Sequence, residues 1–128
     1  MNYISNKYII IFAPSFNESI KPELVSNYNQ IIFSNYILTD EIHESYANNK
    51  FDDLKFMANT FDQSIDNLPS SIINLIFGYY FNQSVNNLPS FLINLTFGNC
   101  FNQLVNNLPV SLINLTFGSC FNQLVDNL

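Results

Sequence analysis

Few residues in this chain of 128 could carry chemistry. One imidazole, His43, stands in Asp40-Glu41-Ile42-His43-Glu44, and two thiols occupy Cys100 and Cys120. Ten carboxylates are set against four amines, those of Lys7, Lys21, Lys50 and Lys55. A metal site needs three or four convergent ligands, and a lone histidine on a short surface helix reads instead as a solvated side chain. A nucleophile paired with a histidine base cannot be assembled from Phe61 to Leu128, which holds no His. Hydrolysis by paired carboxylates needs two acids facing one another, but Asp62 and Asp66 have no acidic counterpart twenty residues on. The expectation is no enzyme, no metal and no cofactor. Cys100 and Cys120 hold equivalent positions in consecutive units, so their side chains should point the same way. That arrangement predicts two free, mostly buried thiols rather than a disulfide.

Charge narrows the partners. The net charge is −6, Arg is absent, and every Lys lies in the first 55 residues. Phosphate backbones and anionic membrane surfaces both require clustered cations, so neither nucleic acid nor membrane is expected. The longest apolar run, Tyr8 to Ala13, is about a third of the ~20 residues that span a bilayer, and it is too short for a secretory signal. A cytoplasmic location is the expectation.

The elements that would position any site are set by an internal repeat. From Phe61 the chain reads FDQSIDNLPSSIINLIFGYY, then FNQSVNNLPSFLINLTFGNC from Phe81, FNQLVNNLPVSLINLTFGSC from Phe101, and FNQLVDNL from Phe121. The second and third units agree at 16 of 20 positions, too many for chance. A fainter anchor, aliphatic-x-Phe, runs through the whole chain at Ile10 to Phe12, Ile31 to Phe33, Leu54 to Phe56, Leu75 to Phe77, Leu95 to Phe97 and Leu115 to Phe117. These six anchors predict a mainly β solenoid of about six turns. Residues 1–53 would be degenerate repeats or a cap, and residues 54–128 clean repeats with units starting near 61, 81, 101 and 121.

Within a unit, Leu95 and Phe97 alternate around Thr96 as a strand does, and Leu92 leads in. Gly98 is expected to turn a corner at positive φ, opposite a rigid Pro89. Too few residues remain between Phe101 and Leu92 for a packed helix. One short parallel strand per turn follows, closed by irregular or 3₁₀ backbone and stacked on its neighbours. Asparagine is the commonest residue, with 22 copies. Asn82, Asn102 and Asn122 follow a core Phe, and Asn87, Asn107 and Asn127 precede a core Leu. Both rows are expected to satisfy turn backbone.

The motif in Phe81-Asn82-Gln83, Leu88-Pro89 and Leu95-Thr96-Phe97-Gly98 resembles the FNIP repeat family, over residues 54–128. The same strand core, Leu92-x-x-Leu95-x-Phe97, is similar to that of leucine-rich repeats. The resemblance implies a protein of the kind found in amoebae and the large viruses that infect them, hence host cytoplasm if the chain is viral. Family members often carry an F-box and capture substrates for ubiquitin ligases. Residues 1–53 show no such helical pattern, being interrupted by Pro14 and Pro22. Ser64, Ser84, Leu104 and Leu124 stand where the family usually has Pro.

A scaffold for an unknown protein partner is the leading reading. Its candidate face is the outward strand surface: Asn74, Ile76, Asn94, Thr96, Asn114 and Thr116, bordered by Tyr79, Asn99 and Ser119. The rival reading is a structural, self-associating solenoid, meeting its like through a C-terminal end that stops within a turn.

Overall fold

A computed structural model of the chain describes residues 2–125. Six strands form one sheet in sequence order: β1 (Tyr3–Ser5), β2 (Ile9–Phe12), β3 (Gln30–Phe33), β4 (Asn74–Ile76), β5 (Asn94–Thr96) and β6 (Asn114–Thr116). Strands β2 to β6 are parallel and pair like with like, Leu75 opposite Leu95 and Leu95 opposite Leu115. Strand β1 runs antiparallel to β2, with Tyr3 opposite Phe12. Two short helices complete the elements, α1 (Pro22–Val25) and α2 (Ile42–Asn48). Pro22 opens α1, where a missing N–H costs nothing, and Asn49 closes α2 in the left-handed conformation at φ 54°.

Each turn of the solenoid contributes two phenylalanines, and these make two columns of parallel rings. One column runs Phe12, Phe33, Phe77, Phe97, Phe117, with centroids 5.3 to 5.7 Å apart. The other runs Phe16, Phe61, Phe81, Phe101, Phe121, at 5.9 to 6.2 Å. Within a turn the two rings stack more closely, as Phe97 and Phe101 do at 3.7 Å. The interior is closed to solvent: Ile72, Leu75, Phe81, Leu92 and Phe101 are fully buried. A turn taken singly could not bury these rings, so their stabilisation comes from stacking.

The columns redraw the register at one place. Phe33 and Phe61 share a turn, at 4.2 Å, although 28 positions separate them; elsewhere the interval is four. The anchor at Leu54-Lys55-Phe56 is therefore not a turn of its own. Strand β3 pairs directly with β4, and Phe56 makes only an isolated antiparallel bridge with Tyr36. Residues 35–58 are an excursion from the corner that follows β3. The stack thus has five parallel turns, and the sixth strand is the antiparallel β1.

Asn59 closes the excursion. It is fully buried, donates its amide to the carbonyls of Ser34 (2.7 Å) and Ala13 (3.4 Å), and accepts from the N–H of Phe61. Asn35 completes the seam by accepting from the N–H groups of both Asn59 and Tyr79, each at 2.9 Å.

The repeat glycines have a different reason from the one expected. No glycine has positive φ among the described residues. A Cβ on Gly98 would overlap the carbonyl oxygen of Gly78, and one on Gly118 that of Gly98. The corners stack backbone on backbone, and glycine is required for closeness rather than for an unusual dihedral.

Candidate interaction face

The outward strand positions fall as the alternation predicts. Asn74, Ile76, Asn94 and Thr96 are half-exposed, and Asn114 and Thr116 are exposed. Asn114 donates to Asn94 Oδ1 at 2.6 Å, and Asn74 to Gln30 Oε1 at 3.0 Å, so amides are shared along the row. Tyr79 and Asn99 border the face half-exposed, and Ser119, exposed, donates to Asn99 Oδ1.

The face is not uniform along the stack. Over β2 and β3 it is covered by the excursion, whose Ile42 is fully buried against Ile11 and Ile32. Ile4, Leu38, Tyr46, Leu54 and Ile76 pack around that second, smaller core. Tyr46 sits deep enough for burial to push its phenol up to about 12, tempered by hydrogen bonds with the Ser34 side chain and the Asn35 backbone. The surface of β5 and β6 remains open, and that of β4 in part, its Ile76 packing against the smaller core. At its border with α2 lies a cleft of about 330 Å³, lined by Ile32, Gln30, Asn74 and Ile76 from the sheet and by His43 and Tyr46 from the helix. His43 is thus half-buried rather than solvated: its Nε2 is enclosed and has no hydrogen-bond partner among the described residues. Nothing in the five-residue acidic motif signals this, because the sheet that encloses the ring is remote in sequence.

The other singled-out residues have structural positions. Asp62 belongs to the asparagine row: its Oδ1 accepts from the N–H of Asn82 (2.9 Å) and the amide of Gln83 (3.0 Å). Asn82 does the same for Asn102 and Gln103, and Asn102 for Asn122 and Gln123. The row starts at Asn17, which accepts from Asp62 and Gln63. The second row differs from expectation. Asn87 and Asn107 are exposed and make single contacts of 3.4 and 3.5 Å, so they are surface residues rather than buried props. Asn127 lies outside the described residues. Cys100 and Cys120 are free thiols, but half-exposed and exposed rather than mostly buried, because they stand at a solvent-facing corner position whose equivalent one turn earlier, Tyr80, is exposed as well.

Away from the face, Asp40, Glu41 and Asp53 border a cleft of about 440 Å³ with Lys55. Among the described residues no three His, Cys, Asp or Glu side chains converge closely enough to hold a metal. No described helix is long and apolar enough to cross a membrane.

Stacked twenty-residue turns, an outward Asn-x-Thr face and inward Leu and Phe columns define a repeat class. The FNIP Repeat family model matches residues 61–100 and again 84–120. Residues 61–120 are FNIP repeats. The fold of the chain is that of a leucine-rich-repeat-like solenoid, similar to CroV588 of a giant virus, described as a novel circular LRR protein structure. The two are 28% identical with a TM-score of 0.58, over 96% of this chain and 19% of that one. The FNIP chain therefore spans about a fifth of its neighbour's length. No curated protein matches it.

Proposed function

We propose that this FNIP-repeat chain is a non-enzymatic scaffold that binds a protein partner across the open surface of β4 to β6. The supporting observation is the division of the sheet face. The excursion seals β2 and β3 with an apolar core, while β4 to β6 present Asn, Thr and one Ile in a regular lattice. Small polar side chains on a rigid sheet suit adaptable hydrogen bonding at low entropic cost. Phe56, Met57 and Tyr80, each 45% exposed or more, give the corner beside Tyr79 an aromatic edge of the kind that anchors interfaces. The low count of cations argues against nucleic acid and anionic membranes as ligands. A cytoplasmic setting and the ubiquitin-ligase role of some family members are not needed for this reading.

A photo-crosslinking residue at Thr96, at the centre of the face, tests it. In cell extract it should yield discrete protein adducts that unlabelled chain suppresses and a Thr96→Arg, Thr116→Arg competitor does not. The same label at Asn106, exposed on the far side of the turn, should yield none of them. Identical adducts from both positions, or none from Thr96, would remove the assignment.

A further inference from the structure

The cleft between α2 and the sheet has the composition of a small-molecule site. Ile9, Ile11, Ile32 and Ile76 give it an apolar lining, and it is bordered by no Asp, Glu, Lys or Arg. Its volume of about 330 Å³ lies at the small end of ligand sites. An apolar cavity of roughly 150 Å³ already accepts benzene, so one substituted ring can be accommodated.

Most polar side chains of the lining are already engaged. Asn74 donates to Gln30 Oε1 at 3.0 Å, and the Tyr46 hydroxyl is held by the Ser34 side chain and the Asn35 backbone. His43 is the exception: its Nε2 is enclosed and has no partner among the described residues. A buried nitrogen left unpaired costs free energy, and native structures rarely leave one so. The imidazole is therefore the group in this cleft with a hydrogen bond still to make. The argument rests on residues of β2, β3, β4 and α2, all within the described part of the chain.

We propose that this cleft binds an uncharged, ring-sized apolar molecule bearing one hydroxyl, in the simplest case a phenol, with the hydroxyl on His43 Nε2. The lining offers no counter-ion, so an anion or an amine would be desolvated against four isoleucines without compensation. An anion would also approach Asp40, Glu41 and Glu44, the acids that flank His43 in sequence. A hydroxyl both donates and accepts, so it satisfies Nε2 in either neutral tautomer, whereas an N–H or a carbonyl satisfies only one. Nε2 has no solvent contact here, and the imidazole turns about its soft Cβ–Cγ torsion to present it to the cleft that its ring lines. A free phenolic molecule and the tyrosine of a protein partner share this chemistry.

His43 is the sole histidine, so its imidazole proton resonances report on the cleft directly. Titrating the 128-residue chain with p-cresol at fixed pH should move them along a saturable curve, with a Kd on the order of 1 mM, as a single ring supports. Toluene is more apolar but lacks the hydroxyl, and it should bind about fivefold more weakly, the worth of one hydrogen bond. Benzoate should leave the resonances in place. Ala47→Phe, at an exposed helical position bordering the cleft, should fill its mouth and abolish the shift while keeping His43. In His43→Phe, followed at the methyl groups of Ile32 and Ile76, p-cresol should lose its advantage over toluene. N-acetyl-tyrosine amide separates the two sources: binding as tight as that of p-cresol assigns a partner's tyrosine, and p-cresol alone assigns a free molecule. No saturable shift with p-cresol, toluene binding as tightly, or a shift that survives Ala47→Phe would overturn the proposal. None of these outcomes bears on crosslinking at Thr96, so the two readings fail separately.

Discussion

Gly98 illustrates how closely residue identity is tied to stacking. Its neighbour above is a backbone carbonyl, not a side chain that could move aside. Gly98→Ala should therefore destabilise the chain by about 1–3 kcal/mol, the usual range for overpacking, and equilibrium denaturation would measure it. An unchanged midpoint would mean that the corners do not touch. Tyr46 offers a second test at this scale. Its folded pKa of about 12 exceeds the ordinary 10.0, so burial favours the neutral phenol. The stabilisation is complete below pH 10 and is lost as pH rises from 10 through about 12. Ultraviolet titration should show one of the seven tyrosines ionising late, and Tyr46→Phe should abolish that late phase. These two residues also differ in how legible they were. Glycine at a fixed place in each unit announced a special corner, yet sequence alone cannot separate a positive φ from a close approach, and the closeness comes from the neighbouring turn. The surroundings of Tyr46 and His43 were hidden altogether, because a helix inside an excursion encloses them against strands remote in sequence.

Among the elements, the clean repeats were the most readable. Leu-x-Phe after a lead-in Ile or Leu gave β4, β5 and β6 their position, direction and inward residues, since alternation and repetition pointed the same way. The Ile-rich runs gave β2 and β3 for the same reason. Leu54-Lys55-Phe56 carried the same letters and misled, because the 44 positions from Phe33 to Phe77 divide almost evenly into two turns. Nothing local distinguishes that from one turn with an insertion; the deciding facts are the ring contact of Phe33 with Phe61 and the seam at Asn59. The excursion should behave as a separately removable element held by Ile42. Ile42→Asp places an unpaired charge in a fully buried apolar site and should detach α2 from Ile11 and Ile32. Loss of amide protection across α2, with β4 to β6 still protected, would be the signature in hydrogen exchange. If the charge unfolds β5 as well, the excursion is part of the main core.

For the molecule as a whole, stability is a property of neighbouring turns rather than of a central core. Phe97 touches Phe77, Phe101 and Phe117, and Phe97→Ala should cost about 3–5 kcal/mol, seen as a lower midpoint on chemical denaturation. The two ends are unequal: β1 covers the first turn, and the last lies open among the described residues. Amide exchange should be slowest in β2 to β4 and fastest from Leu108 to Val125. Uniform protection along the stack would show that the chain opens all at once.

The near-constant step within each ring column has a consequence for inheritance. A gene that gains or loses whole blocks of twenty codons returns every Leu, Phe, Gly and Asn to the same neighbours, so the altered product meets no new contact and no missing one. Changes of any other length must be absorbed where the chain can leave the stack and come back, and the corner after β3, with Asn59 fastening the return, is such a place. Variation in this lineage should accordingly be of two kinds, stepwise in the number of turns and irregular at that one corner.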